Sequence, residues 1–297
     1  MVSPENASFA ATLAEHRQQT EVPSEIIVRA LGTPALTSSR VAVRLRGGYV
    51  TECAVASQRT GKVVSLFETQ EEQLTMPEPA ASHTTCAVEG LDADDEEGFA
   101  RWVDYRPVTN GKTAHVPIIA LQADVGDGPF GLRKIVGLQD SGLTTTSILC
   151  NRTAEPQKAA LGEHYCFDLH GNSLQGVAIN GLRMGRHRSG RALQARLEDG
   201  APSFFAGYQG SALLDFPDGR HVVLSAVAST GVQNKNGRIQ IPDSRIGMML
   251  WHQPDSSKFC LEPTLRHYDT EHRRMATGSV VLPPDHVVAL TTIINAK

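Results

Sequence analysis

Soft metal ligands crowd together at His164-Tyr-Cys166-x3-His170, with Cys150 upstream. A His-x-Cys pair on a strand points both side chains to one face, so two ligands could reach one ion. A structural zinc site would use a regular pair such as Cys-x2-Cys or His-x3-His, which this chain lacks. Buried cysteine and incidental histidine are the commoner use of these residues, and no metal or cofactor is expected. His267-x4-His272 has polar spacing and reads as surface. A second chemistry lies in Arg183, Arg186, Arg188, Arg191 and Arg196, five arginines within 14 residues. They could neutralise phosphates or meet an acidic protein. No aromatic residue is interleaved to stack bases, so the segment reads first as a solvated loop between strands, then as a contact for an acidic protein partner, and nucleic acid comes last.

The elements that must position these residues read as strands. Short apolar runs recur: VAVRL, YVTECAVAS, KVVSLFE, HVPIIALQADV, RKIVGL, LGEHYCFDL, GVAINGLRM, HVVLSAVAS, GRIQI, SVVL and HVVALTTII, punctuated by glycine turns. Alternation of apolar and polar residues suits half-buried strands, and a sustained helical period is absent. An all-β barrel or sandwich follows. A short helix is expected over Ser8–Gln19, and residues 68–104, with Pro77, Pro79 and the acidic run Asp92–Glu97, read as a solvated loop.

Composition bounds the function. The chain has 297 residues, 40% of them hydrophobic, and a net charge of −4, which gives no general attraction to nucleic acid or anionic membrane. No apolar run approaches the ~20 residues of a membrane span, and the N-terminus has no secretory pattern. Five scattered cysteines, Cys53, Cys86, Cys150, Cys166 and Cys260, are expected to be reduced in an intracellular, cytoplasmic setting.

One stretch carries a family resemblance. Gly207-Tyr208-Gln209-Gly210-Ser211, followed by Ala-Leu-Leu-Asp, a Phe-Pro-Asp-Gly turn and His-Val-Val-Leu-Ser-Ala-Val-Ala, resembles the nucleophile segment of chymotrypsin-like serine proteases. The resemblance implies an all-β, trypsin-like double β-barrel with an N-terminal arm (1–37), barrels at 38–135 and 136–261, and a C-terminal extension (262–297). In that frame Gln209 occupies the nucleophile position, His115 or Val116 the acid position, and Phe67–Thr69 the base position. None can do acyl transfer, which needs a nucleophile, a base and an orienting acid. Gly207 and Gly210 would keep the oxyanion loop as a backbone requirement. The chain is therefore expected to be a pseudoprotease without enzymatic activity, a scaffold or structural subunit, in a cell or in a virus. It would bind a protein partner through the arginine segment or the C-terminal tail, and an oligomer is compatible with this. The alternative is an active protease with Ser211 as displaced nucleophile, His83 as base and Asp104 or Asp124 as acid. The terminal ATGSVVLPPDHVVALTTIINAK is expected to add a hairpin to a barrel edge.

Overall fold

The alternating runs become strands, and they assemble into sheets that stay open. The structure is a computed structural model, and it describes residues 35–37, 41–46, 49–56, 63–68, 82–88, 100, 105–113, 116–123, 130–139, 142–171, 177–180, 202–205, 211–233, 235, 237–252, 256–266, 268–269, 274–275 and 280–296. A four-stranded meander holds β1 (Ala35–Thr37), β2 (Val41–Arg46), β3 (Tyr49–Ala56) and β4 (Val63–Glu68). A six-stranded sheet runs β12 (Ser203–Phe205), β16 (Gly247–His252), β17 (Lys258–Thr264), β10 (Gln157–Asp168), β20 (Val280–Leu282), and β5 (His83–Val88) also pairs with β10. A nine-stranded sheet runs β11 (Ala178–Asn180), β13 (Ser211–Asp215), β14 (His221–Val232), β21 (His286–Ala296), β9 (Gly142–Asn151), β8 (Phe130–Gln139), β7 (Val116–Ala123), β6 (Tyr105–Thr113), with β15 (Ile239–Ile241) on β14. β18 (Tyr268–Asp269) and β19 (Arg274–Met275) form a separate small pair.

The two large sheets lie face to face. Leu132, Val136, Leu149, Leu224, Leu290 and Ile294 of the nine-stranded sheet share one core with Leu161, Tyr165, Phe167, Leu250 and Leu261 of the six-stranded sheet. Strands of the larger sheet alternate buried and half-exposed residues, as β13 and β14 show, because only one face meets the core. β10 and β17 behave differently: β17 is buried at every position, and β10 from Ala159 to Phe167. Both faces of these two strands are therefore covered, and their second face carries the site described below.

This arrangement corrects the double barrel. The all-β class holds, but neither large sheet closes on itself among the described residues. The hairpin that carried the protease resemblance exists, with Ala212 opposite Leu224 and Asp215 opposite His221. Its turn needs Gly219 at φ +84°, a left-handed conformation that glycine adopts without strain. The terminal segment is not an edge hairpin. β20 pairs with β10, whereas β21 lies in the middle of the other sheet, between β14 and β9. The stretch taken for a loop contains β5, paired with β10 over six residues. The expected helix over Ser8–Gln19 lies outside the described residues. No helix among the described residues is long and apolar enough to cross a membrane.

Arg220 ties the sheets together at one end. Its guanidinium donates to Ser65 O (3.3 Å), to Asp168 O (2.6 Å) and to the Asp218 carboxylate (2.8 Å), and it lies over the Phe216 ring. Burial disfavours the charged form of Asp218, but the hydrogen bonds and charge of Arg220 outweigh it, and the carboxyl titrates below its ordinary value.

The cysteines also depart from expectation. Cys166 and Cys260, directly opposite on β10 and β17, form a disulfide, and Cys53, Cys86 and Cys150 are free and buried. Thiol titration of the denatured, unreduced protein should therefore find three thiols and, after reduction, five. Five before reduction would show the bridge to be absent.

Candidate functional site

The face of the six-stranded sheet turned away from the core gathers chemistry-bearing side chains in rows. Successive side chains of a strand point to opposite faces, so residues in register on neighbouring strands stand side by side. His83 on β5 is opposite His164 on β10, and the β10–β17 register, with Tyr165 opposite Leu261, sets Glu262 beside His164. The next row holds Thr85, Gly162 and Thr264, and the row on the other side holds Cys166, Cys260 and Trp251.

These groups are deeply placed: His83, His164 and Glu262 are 2%, 4% and 1% exposed. The His164 Nδ1 lies 3.4 Å from Glu262 Oε2, and the Thr85 hydroxyl donates to Glu262 Oε1 at 2.8 Å. Each carboxylate oxygen thus has a fixed partner. The His83 ring stacks on His164 with centroids 5.0 Å apart, and Tyr49 in turn lies against His83. Trp251 tilts against His164 and covers the Cys166–Cys260 bridge. Gly162 is what makes room. A Cβ there would clash with Thr85 Oγ1 and Glu262 Oε1 and would meet Thr264 Oγ1 at 3.1 Å.

A buried carboxylate in contact with an imidazole, inside an aromatic wall, is the equipment of general acid–base chemistry. His164, Cys166 and Cys260 do converge, with ligand atoms within 4.8 Å of one another, but both sulfurs are committed to the disulfide. His170 sits apart in an exposed turn, its ring bonded to Ser65 O.

The residues singled out by the protease frame do not meet. Gln209, His115, Gly207 and Gly210 lie outside the described residues, as do Arg183, Arg186, Arg188, Arg191 and Arg196. Ser211 opens β13 in the nine-stranded sheet, whereas His83 belongs to the six-stranded one. Phe67, at the supposed base position, is a core residue. Glu262 escaped notice, although a carboxylate in the apolar run Phe-Cys-Leu-Glu-Pro was a signal of a buried, purposeful charge.

No protein-family profile and no curated protein matches this chain in sequence. Solved structures do match it in shape. A protein of Synechocystis sp. PCC 6803 superposes with a TM-score of 0.63 at 15% identity, over 93% of this chain and 98% of the other. A galactose mutarotase-like protein of Clostridium acetobutylicum gives 0.61 at 10% identity, over 89% and 95%. The fold is galactose mutarotase-like. A galactose mutarotase related enzyme of Lactobacillus acidophilus shares it too, with a TM-score of 0.58 at 14% identity, over 89% and 97%.

The mutarotase-like fold removes the premise of the earlier expectations. A pseudoprotease scaffold and a protease with nucleophile Ser211 both required a trypsin-like double barrel, which this chain does not form. The expected lack of enzymatic activity rested on vacated triad positions, and those have no meaning in a mutarotase-like sandwich whose neighbours include a named enzyme.

Proposed function

We propose that the protein catalyses interconversion of the α and β anomers of an aldopyranose. The observation that carries this reading is the buried His164–Glu262 pair on the coreless face of β10 and β17. The mutarotase-like fold and the names of its neighbours support it.

Anomer exchange needs one base and one acid acting on the same ring. Glu262 takes the proton of the C1 hydroxyl while His164, as imidazolium, delivers a proton to the ring oxygen. The electron pair left on O1 forms the carbonyl, the bond between C1 and the ring oxygen breaks, and the free aldehyde turns about C1–C2. The reverse transfers close the ring on the opposite face of C1 and restore both residues to their starting protonation states. Thr85 and Gly162 act as positioning residues: one bonds the Glu262 carboxylate, and the other leaves the space it occupies. Trp251 supplies an aromatic surface beside the pair.

The test is direct. Freshly dissolved α-D-galactose and α-D-glucose, followed by polarimetry, should reach anomeric equilibrium faster with the protein than in buffer, with saturation at high sugar. No acceleration with any aldopyranose of a broad panel would overturn the reading. Gly162→Ala should lower kcat at least about tenfold, since a displacement of catalytic groups by an ångström is enough for losses of that order. An unchanged kcat in that variant would show that the Glu262 carboxylate is not held where the reaction occurs.

A further inference from the structure

On the far side of the molecule, the outer face of the nine-stranded sheet carries a cavity of about 350 Å³. The register explains its floor. Gly131, Cys150, Val287 and Gly231 form one row across β8, β9, β21 and β14, and Arg133, Ile148 and Ala289 form the next. The two glycines that end the first row leave hollows; an arginine guanidinium fills the one at Gly131, and another arginine borders the one at Gly231. The Arg152 guanidinium lies where a side chain at Gly131 would begin, with Nη2 2.7 Å from that point. Gly231 is bordered by the stem of Arg238, with Cγ 3.4 Å from the corresponding point, an ordinary contact.

Charge singles the cavity out. Arg133, Arg152, Lys235 and Arg238 line it, no carboxylate belongs to the lining among the described residues, and all four cations are exposed. They come from three places in the chain: β8, the residue after β9, and the connection from β14 to β15. None of the four is in an ion pair with a carboxylate among the described residues. Asp285, whose field reaches Cys150, stands outside the lining. The Cys150 thiol donates to Gln233 Oε1 at 3.1 Å, which leaves the Gln233 amide NH2 as a neutral donor in the lining. Four like charges around one hollow repel one another, and an anion in the middle relieves that repulsion.

We infer that this cavity is a binding site for a small phosphorylated compound, separate from the His164–Glu262 site. Arginine forks pair bidentately with phosphate oxygens, and lysine adds a point charge. The volume suits a small metabolite, and the apolar floor of Ile148 and Val287 can meet its uncharged portion. The site needs neither the sugar site nor the reaction proposed for it.

Inorganic pyrophosphate is the minimal probe, titrated calorimetrically into the full chain at low ionic strength, where charge pairing is least screened. One equivalent should bind, and Arg152→Ala and Arg238→Ala should each raise Kd at least about tenfold, the effect of losing one charge-assisted pair. Both residues are exposed, so these variants are expected to melt near the wild type. Gly131→Ala, which pushes the Arg152 guanidinium aside without removing a charge, should also weaken binding. His164→Asn should leave it unchanged. Absence of saturable binding would overturn the inference. So would binding that survives the Arg152→Ala/Arg238→Ala double variant, or binding lost in His164→Asn, which would place the anion in the sugar site instead.

Discussion

Glu262→Gln and His164→Asn are each expected to lower kcat for anomer exchange by about 10²–10⁴-fold, the usual contribution of a positioned general acid or base. Gln keeps the shape and the acceptor for the Thr85 hydroxyl, so the variant removes the basicity of Glu262 and little else. KM should change far less than kcat, since proton transfer is an interaction of the transition state. The double variant should be little worse than either single one, because an acid and a base that act on one ring opening work as a unit. Polarimetry at several sugar concentrations separates the two constants. Wild-type kcat in both single variants would move the chemistry away from this pair and would remove the basis of the proposed function.

The other large effect concerns stability. Between the two sheets, Lys134 of β8 and Glu163 of β10 form an ion pair at 3.1 Å, 1% and 0% exposed. Glu163 Oε1 also accepts from the Thr84 hydroxyl at 2.6 Å and from the Ser147 hydroxyl. Burial pushes the Tyr165 phenol well above its ordinary value, and the Glu163 charge adds to that rise. Lys134→Ala or Glu163→Ala leaves one buried charge without its partner, at a cost of about 3–5 kcal/mol. Lys134→Met combined with Glu163→Leu removes both charges and keeps the volume, so it should cost less than either single change. Urea denaturation of the four proteins measures this. Single variants within about 1 kcal/mol of the wild type would show that the pair is solvated after all.

What the sequence determined by itself was local. VAVRLR, VPIIALQA, HVVLSAVAS and HVVALTTII are strands in the structure, and the alternation in such runs already told core face from outer face. The Phe-Pro-Asp-Gly turn was equally legible, because Gly219 permits a backbone that other residues resist. That same legibility misled: strand, turn and strand after a Gly-Ser pair describe a hairpin, and a hairpin is common to unrelated folds. Where alternation stops, the sequence stops speaking. KFCLEPT is buried on both faces and contains Pro263, which argues against a central strand, yet β17 lies between β16 and β10. Lys134, in the run RKIVGL, looks like a surface residue and is an interior one. Only the tertiary structure decided the sites. His164 and Glu262 are 98 residues apart, and the cavity on the other sheet draws on positions from Gln122 to Val287. The reason is strand register. It depends on which distant strands share a core, and a shift of one residue would turn every one of these side chains to the opposite face.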